Sequence, residues 1–268
     1  MSDLGFRRDL YQGTAGYYDR FRVPYPKALF DDLLERVNTA ERGTLLDLAC
    51  GTGQITFALH DRFAEVWAAD QEPGMTDVVR QKAAAAGIAS IRVLTSAAED
   101  LPAPAASFDL VAIGNAFHRL PRAAVAARAH RWLRPGAFLA LLFSGANPWE
   151  GEAPWQRAMA GVVRYWRGKA GDRVPAGYER DRRERPDLAV LRQAGFEAAG
   201  SYRFPAAHTW TAETLTGYAF STSILSRAAL GGHAPAFEAD LRRELGPFAP
   251  AGGMHETIDF NYQLARRP

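Results

Sequence analysis

The sequence predicts an α/β fold, a doubly wound and mostly parallel sheet flanked by helices. Three observations carry this reading. The run Thr44-Leu45-Leu46-Asp47-Leu48-Ala49 is apolar around a single acid and is followed by Gly51-Thr52-Gly53. A buried strand therefore ends in a glycine turn whose residues can take positive φ. From Gln54 onward Ile55, Ala58 and Leu59 recur at helical spacing. A second apolar run, Val66-Trp67-Ala68-Ala69, ends in Asp70, about twenty residues on, the interval of a strand–turn–helix–strand unit with a terminal acid.

The remaining elements follow in order. Residues 1–26 carry Tyr11, Tyr17, Tyr18, Phe21 and Tyr25 with Arg20 and Arg22, and Pro24 and Pro26 punctuate the approach to a helix over 27–37. This N-terminal stretch, 1–40, reads as a lid or cap. The core, 41–146, begins with a strand at 44–49, a helix at 54–62 and a strand at 65–69. A helix then runs to 86, an alternating strand spans 91–94, and a Pro- and Ala-rich turn at 102–107 leads to a buried strand at 108–115. A helix at 121–133, the turn Arg134-Pro135-Gly136 and a fifth strand at 137–143 complete the core. From Asn147 to Pro186 the alternation stops, and Trp149, Trp155, Tyr165, Trp166 and Tyr178 among Gly and Pro breaks predict helical cap material whose aromatics either line a substrate pocket or form a small core of the cap's own, the second being the default for any single one. The mixed-charge run 179–187 reads as a solvated face. A helix over 187–194 stops at Gly195, a sixth strand follows at 196–204, and helices at 211–226 and 236–245 extend the cap. The cap thus covers 147–195 and 205–250. Residues 257–265 alternate with period two and are expected to close a seven-stranded sheet as an antiparallel edge strand. The whole chain, 1–268, reads as one domain without repeats or linkers.

The order of strand, glycine turn, helix and second acid is similar to a dinucleotide-binding fingerprint, in which the acid bonds a ribose. Two departures redirect it. No third glycine follows Gly53, and Asp47 stands at the mouth of the first strand, where a phosphate would meet a like charge. A carboxylate there suits a positive amine, and the amides opening the next helix suit a ligand carboxylate. A ligand with an amine, a carboxylate and a ribose but no phosphate is S-adenosyl-L-methionine. On these residues the chain resembles the class I S-adenosylmethionine-dependent methyltransferases. Asp47-Leu48-Ala49-Cys50-Gly51-Thr52-Gly53 looks like their first motif, Asp70 like their ribose acid, and Trp132-Leu133-Arg134-Pro135-Gly136 is a phrase common at this position. The likeness covers 40–145 well and looks closest to the small-molecule group that includes trans-aconitate and ubiquinone/menaquinone-type enzymes.

The resemblance implies a Rossmann-like fold, S-adenosyl-L-methionine as cofactor and S-adenosyl-L-homocysteine as product. It implies cofactor contacts from Asp47, Ala49, Gly51, Gly53 and Asp70, with Gln71 and Met75 packing on the adenine. Many relatives carry an aspartate where this chain has Ala97, so the adenine amine falls to the Ala98 backbone or to Glu99. Tyr18 and Arg22 match residues that reach the methionine end. Ligands in doubly wound sheets lie beyond the carboxyl ends of the strands, which puts Asn115 and His118 near the methyl group. His118 is the candidate general base, the alternative being a ring that packs beside the cofactor.

Composition narrows the rest. The 268 residues are 47% apolar and 23% charged with a formal charge of +2, which demands neither nucleic acid nor a membrane surface. No apolar window reaches about 18 residues, so no membrane span is expected. The start lacks the apolar core of a secretory leader, and a cytoplasmic location is expected. Cys50 is the one cysteine, which excludes an internal disulfide, and no His/Asp/Glu spacing signals a metal site. Ser144 and Ser221 lack the setting of a hydrolase nucleophile. The expected partner is a small-molecule methyl acceptor, with secondary metabolites, small acids and quinone precursors all open, as is transfer to oxygen, nitrogen or carbon. Asn115-Ala116-Phe117-His118 lacks the double proline of nucleic-acid methylases. A monomer or homodimer is expected. An NAD(P)-dependent oxidoreductase and a non-catalytic S-adenosylmethionine-binding protein stand as alternatives.

Overall fold

The computed structural model describes residues 9–38, 43–171, 175, 178–251 and 253–268. The expected lid at 1–40 includes 1–8 and 39–40, which lie outside the described residues. The elements are α1 (Ala15–Phe21), α2 (Lys27–Val37), β1 (Thr44–Leu48), α3 (Gln54–Leu59), β2 (Glu65–Asp70), α4 (Pro73–Ala85), β3 (Ile91–Thr95), β4 (Phe108–Gly114), α5 (Arg122–Trp132), β5 (Leu133–Ser144), α6 (Pro154–Ala170), α7 (Tyr178–Glu184), α8 (Asp187–Gln193), β6 (Glu197–Trp210), α9 (Ala212–Phe220), α10 (Arg227–Leu230), α11 (Ala234–Leu245) and β7 (Met254–Arg266).

The strands form a seven-stranded sheet in the order β3-β2-β1-β4-β5-β7-β6. The pairs β1–β2, β2–β3, β1–β4 and β4–β5 are parallel, and β7 runs antiparallel to both β5 and β6. Strand order reverses between β1 and β4, and a crevice opens beyond their carboxyl ends at such a switch. Alternation explains the two cores. Leu45, Leu110, Ala140 and Leu142 face one side, while Leu46, Leu48, Val111, Ile113, Leu139 and Leu141 face the other. With both faces covered, the central strands are apolar throughout, as parallel strands must be.

Three expectations are corrected. The antiparallel strand lies at the expected side of the sheet, but β7 is not outermost; β6 covers it, pairing from Glu197 to Trp210. The turn at Arg134-Pro135-Gly136 is absorbed into β5 as an irregularity between the pairs Phe108–Leu133 and Leu110–Phe138. It is pinned by the Arg134–Asp109 ion pair and by Gly136 N–H donating to Arg267 O. The charged run after Tyr178 is not wholly solvated, because Asp181 and Asp187 turn inward onto Arg122, which is 4% exposed.

The cap has no separate core. On α6, Trp155, Met159, Val163 and Trp166 are buried with Phe237, Leu241 and Leu245 of α11 in the cluster that also holds Leu45 and Leu110. Burial of this apolar stripe contributes most to its stability, and each large side chain adds about 1.5–3 kcal/mol. Tyr165 alone of the cap aromatics stands out, 57% exposed.

Candidate functional site

Ala49, Gly51 and Gly53 all have positive φ, at 57°, 55° and 85°. Three left-handed residues within five coil the chain tightly between β1 and α3. Gly53 is obligatory, since a Cβ there would lie 2.9 Å from the Phe57 ring and 3.2 Å from Val79. Asp47 is 1% exposed beneath this turn. Its Oδ2 accepts from Thr56 N at 2.9 Å and Thr56 Oγ1 at 2.6 Å, which fixes the first turn of α3. Its Oδ1 is buried and has no partner among the described residues. Burial pushes the Asp47 pKa up to about 7, the Thr56 bonds opposing the rise.

Asp70 closes the other side of the turn. Its Oδ2 accepts from Gly51 N and its Oδ1 from Glu72 N, each at 2.9 Å, and burial raises its pKa. Each oxygen keeps a further lone pair, enough for a vicinal hydroxyl pair. Ser96 N donates to Asp70 O at 2.9 Å, drawing the 96–100 segment to the same strand end. Ala98 is buried there and Glu99 half-buried. Gln71 is exposed beside Asp70, and Met75 is 2% exposed in the first turn of α4.

The N-terminal segment covers the turn. α1 packs on α9 and α4, and the Tyr18 ring lies so near Gly51 that a Cβ there would be 3.3 Å from it. Burial pushes the Tyr18 hydroxyl up to about 12. Arg22 is held between two rings, 4.7 Å from the Tyr18 centroid and 5.0 Å from that of Tyr218, and donates to Ser221 O at 3.1 Å. The cleft beneath is lined by Tyr18, Tyr25, Asp47, Ala49, Cys50, Gln54, Ile55, Gly114 and Asn115. Its free volume is about 20 Å³, room for a single water.

The structure thus brings Tyr18, Asp47, Ala49 and Asn115 to one cleft, with Arg22, Gly51, Gly53 and Asp70 against it. Gln71, Met75, Ala98 and Glu99 gather around the ends of β2 and β3. Asn115 has φ 51° and frames the floor, its Oδ1 accepting from Ser144 N at 2.9 Å and its Nδ2 donating to Tyr25 Oη at 3.0 Å. Sequence reasoning missed Tyr25, Gln54, Ile55 and Gly114. Gln54 and Ile55 were open to discovery as the first residues after the glycine turn. Nothing in sequence set Tyr25 apart from its aromatic neighbours.

His118 sits in the 3-10 turn Phe117–Arg119, outside the cleft lining. Its Nε2 accepts from Arg119 Nε at 3.1 Å, so the ring proton resides on Nδ1, which is buried and without a partner. Burial, with Arg119, Arg182 and Arg122 nearby, holds its pKa down at about 3. The expectation of a general base meets a physical obstacle here, because this imidazole has no free lone pair to offer a proton at neutral pH.

Comparison with known proteins shows what the chain is similar to. Residues 45–136 match a family described as a methyltransferase domain. An uncharacterized methyltransferase of Mycobacterium tuberculosis is 32% identical over 171 residues, covering 63% of this chain and 64% of that protein. A demethylmenaquinone methyltransferase of Geobacillus kaustophilus is 28% identical over 141 residues, or 50% and 60% of the two chains. The match therefore spans less than two thirds of the length of these relatives. Among solved structures, a protein from Anaeromyxobacter dehalogenans assigned provisionally as a type II methyltransferase superposes with a TM-score of 0.61 at 22% identity, covering 92% of this chain and 97% of that one. Geranyl diphosphate C-methyltransferase from Streptomyces coelicolor, solved with Mg2+, geranyl-S-thiolodiphosphate and S-adenosyl-L-homocysteine, gives 0.51 at 15% identity over 90% and 76%. These structural likenesses establish the fold. With the matched domain over 45–136, the strand order and a glycine turn set between two acids, the chain is similar to methyltransferases in sequence and shares their fold.

Proposed function

We propose that this protein transfers a methyl group from S-adenosyl-L-methionine to a small-molecule acceptor. The observation that carries the reading is the buried, unpartnered Oδ1 of Asp47 at the carboxyl end of β1. A buried acceptor without a donor is costly in a folded protein. An ammonium group satisfies both its hydrogen bond and its charge, whereas a pyrophosphate would aggravate both. Asp70 suits the ribose, and Arg22 with Tyr18 suits the carboxylate end of the amino acid. Met75, Gln71, Ala98 and Glu99 surround the place of the base. The cofactor complex of the Streptomyces coelicolor protein, on the same fold, supports this assignment.

The cofactor, when bound, supplies an electrophilic methyl group on a sulfonium. The chain's own part is then alignment and exclusion of water. Tyr18, Arg22 and Tyr218 form the cover that excludes it. Because the lone pair of His118 Nε2 is engaged, the reading gives His118 no proton to accept. The acceptor then reacts through a group already ionised or through carbon.

Calorimetric titration tests the cofactor. S-adenosyl-L-homocysteine should bind saturably and NAD should not; the reverse would overturn the reading. Incubation with methyl-labelled S-adenosyl-L-methionine and a small-molecule extract should then label a product. Cofactor binding with no labelled product would leave a binding protein in its place.

A further inference from the structure

We propose that the acceptor carries a carboxylate and that Arg119 reads it; this rests on the methyl-transfer reading above. Asp47, Asp70 and Glu72 stand at the ends of β1 and β2. Arg22 is tied to Ser221 O after α9, and Arg119, in the turn after β4 and beyond the residues that line the cleft, is tied to Ser223 Oγ. Among the described residues neither arginine has a carboxylate within ion-pair distance. The contrast with Arg122 is direct, since that buried guanidinium takes both Asp181 and Asp187. Where this fold buries a cation for structure it supplies acids; at Arg22 and Arg119, among the described residues, it does not.

Arg119 is nevertheless held in place. Its Nε donates to His118 Nε2 at 3.1 Å, its Nη1 donates to Ser223 Oγ at 2.7 Å, and its carbon lies 5.2 Å from the centre of the Tyr11 ring. All three partners are neutral, His118 because its pKa is held down at about 3. The fork is oriented without its charge being cancelled, and Nη2 makes no hydrogen bond. Tyr11 meets Tyr18 edge-on at 6.2 Å, so Arg119 lies one ring beyond the cover of the glycine turn. It follows Asn115 in the loop from the end of β4, where the strand order reverses.

The charge count points to a second anion. The cofactor brings one carboxylate, which Arg22 is placed to meet. Arg119 is then left with a full positive charge in a half-buried, aromatic-lined corner. A guanidinium fork matches a carboxylate in geometry as well as charge. A site built around such a charge rejects the neutral isostere far more strongly than any apolar pocket rejects a missing methyl. His118 acts here as a positioning residue, its neutral ring holding Arg119 without adding or removing charge.

The test uses the full chain saturated with S-adenosyl-L-homocysteine. Benzoate, 4-hydroxybenzoate and succinate are titrated, each beside its amide, by calorimetry and by thermal shift. At least one acid should bind about tenfold or more tightly than its amide. Arg119→Gln should abolish that preference, and Arg119→Lys should restore part of it, which a purely structural role would not show. No acid preference in the wild type, no acid binding, or a preference that survives Arg119→Gln would each overturn the proposal. Wild-type protein that fails to bind S-adenosyl-L-homocysteine would overturn the methyl-transfer reading instead, and is seen in a separate measurement.

Discussion

The acidic and the basic sides of the cleft are assembled in different ways. Asp47 and Asp70 end adjacent parallel strands of one βαβ unit, and each also clips backbone, Asp47 at Thr56 and Asp70 at Gly51 and Glu72. Their positions follow from strand register, so they are as rigid as the sheet. Arg22, Arg119 and Tyr218 come from the N-terminal segment, the turn after β4 and α9, and are held by tertiary contacts: Arg22 on the Tyr218 ring and on Ser221 O, Arg119 on Ser223 Oγ. On the proposed reading this is a division of labour: the acids, fixed by the sheet, would receive the cofactor, and the docked cationic, aromatic side would cover it.

The largest effect that would break this comparison is expected at Asp47. Asp47→Asn keeps the shape and the bond to Thr56 but places an N–H donor where an ammonium must come. Affinity for S-adenosyl-L-homocysteine should fall by about 2–3 kcal/mol, the worth of a hydrogen bond to a charged group with its charge removed. The pH dependence has a definite sign. In the free protein Asp47 is protonated below pH about 7. A bound ammonium lowers that pKa, so the complex holds fewer protons than its parts. Binding should therefore release protons below pH 7, and affinity should rise with pH toward 7 and level off above it. Calorimetry in two buffers of different ionisation enthalpy measures the release, and Asp47→Asn should abolish it. For folding the sign is opposite. A carboxyl whose folded pKa is raised lends stability that is full below its unfolded value and is lost as pH climbs through about 7. The ligand-free Asn variant should thus melt higher than wild type at pH 8. A wild-type affinity indifferent to pH would detach Asp47 from the ligand.

A smaller loss is expected at Asp70, because its oxygens already serve two amides and would only share themselves with the ribose. Asp70→Ala should weaken binding by about 1–3 kcal/mol. Unchanged affinity by titration would take Asp70 out of the site and leave it a clip between β2 and the glycine turn.

The same division explains what could be read from the chain beforehand. The β1–α3–β2 unit was legible because period, glycines and acids lie within one short stretch, and a strand end forces a side chain to the same crevice every time. The order of the last two strands was not. Both β6 and β7 alternate, and alternation says that one face is buried without saying which strand has a neighbour on both edges. Arg134-Pro135-Gly136 carries turn residues, yet partners distant in sequence, Asp109 and Arg267, hold it within β5. His118 follows β4 as the siting rule expects but lies outside the cleft lining. Its pKa is held down by burial and then by Arg119, Arg182 and Arg122, and no pattern in a linear sequence records that convergence. Tyr25 reaches the cleft from the segment just before α2, where its hydroxyl accepts from Asn115 Nδ2, a partner ninety residues away in sequence.

The smallest effect sharpens the account of the acidic side as a rigid frame. Ala49 holds φ at 57°, a left-handed conformation that costs a residue with a Cβ about 1–2 kcal/mol. Asn115 shares that conformation but has a polar side chain that eases it, through bonds to Ser144 and Tyr25. Ala49 has no such relief, and only the surrounding sheet keeps it there. Ala49→Gly should remove the strain, and the extra freedom of glycine in the unfolded chain should take back about 0.4–1 kcal/mol. The net gain is then at most about 1.6 kcal/mol, a rise in Tm of no more than roughly 3–6 °C for a chain of this size. Cofactor affinity should hold or improve slightly, since the Ala49 methyl lines the cleft. Gly51→Ala is the matched opposite, adding a Cβ at φ 55° and 3.3 Å from the Tyr18 ring, and it should cost both stability and closure of the cover. If Ala49→Gly lowers Tm instead, the Ala49 methyl contributes packing that outweighs its strain, and the turn is held by contacts rather than by the strand register alone.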